Sequence, residues 1–69
     1  MNATLAKDAD YESARYRHRR LGYSLFDLHE WAGLSARTRQ QRKCRMASVR
    51  RYIIDANGGK RPGWMGAGE

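Results

Sequence analysis

The sequence contains little cysteine and little proline, and it has no long hydrophobic run. Cys44 is the single cysteine among 69 residues, which excludes an internal disulfide and a cysteine-based metal cluster. No window approaches the roughly 20 apolar residues of a membrane span, and the start, MNATLAKDADYESA, lacks an apolar core of signal-peptide length. We therefore expect a soluble protein from a reducing cytoplasm, with no membrane partner.

Residues that could form a catalytic or metal site are also scarce. His18 lies among arginines, His29 stands beside Glu30, and Cys44 has no evident base partner. Two histidines and one cysteine at these spacings match no ligand pattern for zinc and no nucleophile pair. We expect a protein that is not an enzyme and needs no cofactor or metal.

Positive charge is abundant. The chain has 14 Lys+Arg against 7 Asp+Glu, a formal net charge of +7, and all but Lys7, Lys43 and Lys60 of these cations are arginine. The guanidinium fork suits phosphates, carboxylates and aromatic faces better than an ammonium does. A single small binding domain with a nucleic-acid or acidic protein partner is therefore expected, although a merely basic surface would have the same composition.

Two helices are predicted in the first half. One runs from about Asp10 to Arg20, with acids in its first turn, cations toward its end and Gly22 as a C-cap. The second runs from Leu25 to Ala32. Its start resembles a capping box formed by Ser24 and Asp27, and Gly33 is expected to be its C-cap.

A third helix is predicted in the second half. Ser35 can cap it, but residues 36–43 carry no apolar stripe, and helical periodicity returns only at Cys44, with Met46, Val49 and Ile53 following. The run 52–54 is β-prone, so a strand there is an alternative. Asn57, Gly58 and Gly59 suit a helix end, and the Gly-rich segment after them is expected to be disordered in the free protein.

These patterns predict an all-α fold: a small three-helix domain over residues 8–57, a flexible arm over 1–7 and a flexible Gly-rich tail over 58–69. Cys44 is expected to be a small buried residue, whereas Trp64 has no evident core to join and could anchor a partner. The predicted core consists of Leu25, Leu28, Trp31, Leu34, Val49 and Ile53.

A helix-turn-helix corner is an alternative interpretation, because Gly33 and Leu34 could form a short turn with Ser35 opening a second helix. The resemblance to that motif is partial. His29 stands where a small residue is usual, and the second helix carries Arg39 and Arg42 where apolar packing residues are expected. A small basic DNA- or RNA-binding protein therefore stays open as a second function, beside an ordinary αα-corner that carries a basic helix.

The whole chain, especially DYESARYRHRRLGYSLFDLHEWAGLS with MASVRRYIIDANGGK, resembles the small RNA polymerase-binding transcription regulators of lytic Xanthomonas phages. The resemblance lies in size, basicity and the general run of the sequence rather than in a short motif. It implies a protein that acts in the host bacterial cytoplasm, binds host RNA polymerase, disturbs the σ factor's hold and favours antitermination.

The two arginine-rich blocks supply the candidate partner-binding residues. We expect them to face a partner without serving the core, on the N-terminal arm, on the outer face of the first helix and beside the apolar stripe of the third. Cations spread over several helices favour a protein partner over binding in a DNA groove. We expect contact with nucleic acid to be nonspecific and secondary, and the protein to be a monomer. The residues are Lys7, Ser13, Arg17, Arg20, Ser48, Arg50 and Arg51.

Overall fold

A computed structural model describes residues 8–66 and confirms the all-α prediction. Three α-helices, α1 (Ala9–Arg19), α2 (Leu25–Leu34) and α3 (Arg39–Ala56), are followed by a 3₁₀ turn at Gly63–Met65. No strand is present between residues 8 and 66, so the β alternative for residues 52–54 is wrong. The predicted arm over residues 1–7, including Lys7, and the last three residues of the predicted tail lie outside the described residues.

Each of the three helices begins at a side-chain cap. Asp8 accepts a hydrogen bond from the backbone N–H of Tyr11 and caps α1, which begins at Ala9, one residue before the predicted start. The capping box predicted for α2 is present, with Ser24 Oγ accepting from the Asp27 N–H at 3.0 Å and the Asp27 carboxylate accepting from the Ser24 N–H at 3.4 Å. Such caps satisfy N–H groups that a helix leaves without partners.

The boundary between α2 and α3 differs from the prediction. Gly33 and Leu34 lie inside α2, and Thr38 rather than Ser35 caps α3, through a 3.0 Å bond from the Gln41 N–H. The Ser35 hydroxyl is instead occupied by the guanidinium of Arg45. The turn predicted for a helix-turn-helix at Gly33 and Leu34 is therefore not formed, and the connection runs through residues 35–38.

The core lies where α3 packs against both α1 and α2. Leu28, Val49 and Ile53 are fully buried as predicted, and Leu25 and Trp31 pack against them while half-buried. Ala14 and Ala32 are fully buried too, and their small side chains allow α1 and α2 to approach α3 closely.

Two residues predicted for the core lie on the surface. Leu34 is 85% exposed and Cys44 is exposed. With about 100° per residue in a helix, Leu34 is turned about 120° from Leu28, and Cys44 about 140° from Val49. Both side chains therefore point away from the helix packing, although each lies next to an apolar stripe in the sequence.

The segment after α3 returns to the helices. Gly58 and Gly59 adopt φ values of 76° and 86°, a conformation that suits glycine, and the chain then turns back so that Met65 is 5% exposed within the core. Trp64 packs edge-on against Phe26, with ring centroids 5.1 Å apart. Met65 thus completes a core that the helices leave open, while the flexibility predicted for the tail over residues 58–69 stays a prediction.

Replacing Leu28 with alanine should lower the free energy of unfolding by about 2 to 5 kcal/mol, because it empties a fully buried site. Leu34→Ala is the matched control in the same helix, and it should change the free energy by less than about 0.5 kcal/mol. Urea titrations followed by circular dichroism measure both values, and equal losses would contradict the assignment of the core.

Met65→Ala should lower the free energy of unfolding by about 2 kcal/mol or more, since a buried methionine loses its packing. Lys60→Ala, in the same segment but exposed, should have little effect. The same urea titrations apply. A wild-type transition for Met65→Ala would favour the prediction of a flexible tail.

Candidate binding surface

Asp8 joins the start of α1 to α3. Besides capping α1, its carboxylate accepts a hydrogen bond from the Ser48 hydroxyl at 2.7 Å and pairs with Arg51 Nη2 at 2.5 Å. Partial burial opposes ionisation, but the bonds from Ser48 and the Tyr11 N–H, together with the charge of Arg51, outweigh it and lower the pKa of Asp8. The ionised carboxylate is therefore the form that the folded protein favours.

A second acidic contact fixes Arg45 of α3. Its Nε donates to Asp10 Oδ1 at 3.1 Å and its Nη1 donates to Ser35 Oγ at 2.6 Å, while the guanidinium carbon lies 5.3 Å from the ring centroid of Trp31. Arg17 of α1 also lies over Trp31, at 4.4 Å. Trp31 therefore contacts two guanidinium groups in cation–π geometry. These contacts hold its ring in place although the side chain is only half-buried.

The third acidic contact lies between the end of α3 and α1. The Tyr11 hydroxyl donates to Asp55 at 2.6 Å, which, with the partial burial of the phenol, raises the pKa of Tyr11. Tyr52 packs edge-on against both Tyr11 and His18, and its hydroxyl lies 2.7 Å from His18 Nδ1. These three rings pack together between α1 and α3.

Asp8 and Asp10 pair with Arg51 and Arg45 of α3, so these two carboxylates do little to offset the other cations on the surface. Glu12 approaches Arg15 at 3.9 Å, but both side chains are 53% exposed, and such pairs contribute little. Within residues 8–66, the exposed cations that form no ion pair are Arg19, Arg20, Arg37, Arg39, Arg42, Lys43, Lys60 and Arg61.

The outward side of α1 concentrates these cations around an aromatic ring. Arg15, Tyr16, Arg19 and Arg20 repeat at helical spacing and, with Glu12, line one open groove. Tyr16 is 56% exposed. We call this group of residues the α1 outer face. Its guanidinium groups can contact carboxylates or phosphates, and its tyrosine can pack against an apolar or planar group.

A second cationic region covers the turn before α3 and its first turns. Arg37, Arg39, Arg42 and Lys43 are all exposed. The sequence left open whether this stretch without apolar residues is solvated, bound or frayed, and the structure shows a capped helix with a solvated face from Arg39 onward. Its backbone order therefore comes from Thr38 and the continuing helix rather than from core packing.

The expected contact residues have different environments. Arg20 is exposed without an ion pair to residues 8–66, and Ser13 is half-buried on α1. Arg17, Ser48 and Arg51 also make the inter-helix contacts described above, and their role in binding a partner stays a prediction. Arg50 contacts His29 of α2 at 3.4 Å, so the structure does not bring the whole set onto one face.

Some residues of this surface were not singled out from the sequence. Arg19 shares the α1 outer face with Arg20, and the spacing of RYRHRR could have identified it. The structural role of Arg45 had no local signal, because Asp10 and Trp31 are distant from it in the chain.

The described part of the chain, residues 8–66, has no group of three or more His, Cys, Asp or Glu side chains that could hold a metal ion. None of its helices is both long and apolar enough to span a bilayer. The chain matches no family model, no curated protein and no solved structure.

Asp8→Ala should lower the free energy of unfolding by about 2 kcal/mol, because α1 loses its cap and Ser48 and Arg51 lose their acceptor. Glu12→Ala, four residues along the chain and exposed, should leave stability nearly unchanged. Chemical unfolding at neutral pH measures both.

The pH dependence separates the charge of Asp8 from its role as a cap, since asparagine also caps helices. A lowered pKa in the folded state adds stability above the usual value of 3.8, and this stability is lost as pH falls through the folded-state pKa. The stability difference between wild type and Asp8→Asn should therefore shrink below about pH 4. A difference that is constant from pH 6 to pH 2 would exclude this role for the charge.

Proposed function

We propose that this protein is a phage-encoded transcription regulator that binds bacterial RNA polymerase in the host cytoplasm. In this proposal it has no enzymatic activity, lowers initiation by disturbing σ-factor engagement, and promotes antitermination. Two lines of support exist: the resemblance to small polymerase-binding regulators of lytic Xanthomonas phages, and the charge distribution of the folded domain.

The observation that carries the proposal is the separation of acids from cations. Asp8 and Asp10 pair with arginines of α3 and Asp55 accepts a hydrogen bond from Tyr11, while exposed arginines without ion pairs to residues 8–66 remain on α1 and at the start of α3. Such a surface attracts an acidic partner over long range and accelerates association. Two cationic regions on different helices suit a broad protein surface better than a single DNA groove.

Contact with polymerase is assigned first to the α1 outer face. Arg20, one of the expected contact residues, lies there beside Arg19, and Tyr16 supplies an exposed ring between the cations. Arg17, Ser48 and Arg51 can contribute as well, but changing them also removes contacts between helices. Arg20 therefore separates binding from folding better than Arg17 does.

The purified protein should co-elute with RNA polymerase and lower transcription from a σ-dependent promoter. Arg20→Ala should weaken the binding by about 1 to 3 kcal/mol, the range for a lost charge-assisted contact. Lys60→Ala removes the same charge from another exposed position and should bind like wild type. Calorimetric titration measures affinity, and circular dichroism checks folding.

Absence of co-elution together with unchanged promoter-dependent transcription at excess protein would refute the proposed function. Wild-type affinity of Arg20→Ala and of the double variant Arg19→Ala/Arg20→Ala would instead refute only the assignment to the α1 outer face.

Nucleic-acid binding is the second candidate, and the exposed cations Arg37, Arg39, Arg42 and Lys43 favour it. We expect duplex binding to be nonspecific and to collapse between low and physiological salt, since released counterions drive it. Selection from a random duplex library tests the alternative. Recovery of one tight consensus site that persists at physiological salt would favour a sequence-specific DNA binder.

A further inference from the structure

A second surface, along one side of α2 next to α3, combines exposed apolar groups with nearby cations. Phe26, Glu30 and Leu34 follow one another at four-residue spacing and therefore share one side of α2. Phe26 is 47% exposed and Leu34 is 85% exposed. An open groove of about 280 Å³ runs beside them and is lined by His29, Glu30, Gly33, Leu34 and Met46. We call this the α2–α3 groove.

The floor of the α2–α3 groove is apolar because α3 lies close to α2 there. Gly33 has no side chain, and Met46 Sδ lies 4.0 Å from the position that a Cβ would take. At the other end, Trp64 packs edge-on against His29 at 5.4 Å and against Phe26, and it remains 43% exposed. Leu34 and Met46 thus lie at one end of this side of α2 and Phe26 and Trp64 at the other, with Glu30 between them. Exposed apolar groups gathered in this way mark sites of protein interaction.

Two cations lie on the side of α3 that faces the groove. Arg39 and Lys43 precede Met46 by seven and three residues, so helical spacing places them on the same side of α3 as Met46, next to the residues that line the groove. Both are exposed and form no ion pair with residues 8–66. Glu30 is the one carboxylate among the lining residues. The groove therefore has an apolar part, one carboxylate in its lining and two cations on the adjoining side of α3.

We propose that the α2–α3 groove binds an acidic amphipathic helix of a protein partner. Apolar side chains at three- and four-residue spacing on that helix pack against Leu34, Met46 and Phe26, and its flanking carboxylates pair with Arg39 and Lys43. Charge complementarity selects this occupant over a second copy, because two chains of +7 repel each other. The apolar floor selects it over nucleic acid, which would leave Leu34 and Phe26 in water.

This surface goes beyond the proposed function, since it uses neither Arg19 nor Arg20 of the α1 outer face. A protein with both surfaces can hold polymerase through α1 while binding a second protein, or another segment of the polymerase, through α2 and α3. The two surfaces can therefore be tested separately.

The probe is a synthetic helical peptide with leucine at positions i, i+4 and i+7 and glutamate at the flanking positions. Its control is a peptide of the same composition with the leucines dispersed around the helix. Titrated into the isotope-labelled full chain, the first peptide should shift amide resonances of residues 26–34 and 39–46 and the indole of Trp64. The dispersed peptide should bind at least tenfold more weakly.

Matched substitutions inside and outside the α2–α3 groove test whether it is the peptide-binding site. Leu34→Lys and Arg39→Glu should each reduce affinity for the amphipathic peptide at least tenfold, and Glu30→Gln should retain or raise it. Leu21→Lys, at an apolar site 51% exposed outside this groove, and Arg19→Glu on α1 should bind like wild type. Leu34 and Arg39 are exposed, so their variants should keep the wild-type circular dichroism spectrum.

Four results would overturn the proposal. The first two are equal binding of both peptides and changes in amide resonances that are confined to the α1 outer face. The third is single-stranded RNA that shifts the resonances of the groove residues as strongly as the peptide does. The fourth is a dimer in sedimentation equilibrium that Leu34→Lys abolishes. Polymerase co-elution is measured independently, so failure of the groove proposal leaves the proposed function intact, and the reverse holds as well.

Discussion

The contacts of Arg45 join all three helices. From α3, one guanidinium donates to Asp10 of α1 and to Ser35 after α2, and it lies over Trp31 of α2. A domain of this size buries only about 60% of its unfolded surface, so its fully buried large side chains, Leu28, Val49 and Ile53, form a small core. Half-buried polar and cation–π contacts around that core therefore help to fix the positions of the helices relative to one another.

This use of arginine divides the cations into two groups. Arg17, Arg45 and Arg51 contact Trp31, Asp10 and Asp8 and serve the packing. Among residues 8–66, exposed cations without ion pairs lie mainly on the α1 outer face and along the start of α3. The same residue type thus builds the domain and gives it a surface that attracts acidic partners, and sequence position alone does not separate the two uses.

Features that depend on neighbouring residues could be predicted from the sequence. The capping box of Ser24 and Asp27 and the burial of Val49 and Ile53 follow from spacing within one helix. Leu34 and Cys44 could not be placed, because their exposure depends on the direction from which another helix packs. Met65 and Arg45 were missed for a related reason, since each is fixed by residues far away in the chain. Both cationic blocks were visible, but not which of their arginines are engaged in packing.

The most direct test of this division compares two charge-conserving variants within α3. Arg45→Lys keeps the positive charge but loses the planar guanidinium group, which lies over Trp31 and donates hydrogen bonds to both Asp10 and Ser35. Arg42→Lys makes the same change at an exposed position. Urea unfolding should show a loss of about 2 kcal/mol or more for Arg45→Lys and less than about 0.5 kcal/mol for Arg42→Lys. Equal stabilities of the two variants would contradict the claim that some arginines build this domain while others serve its surface.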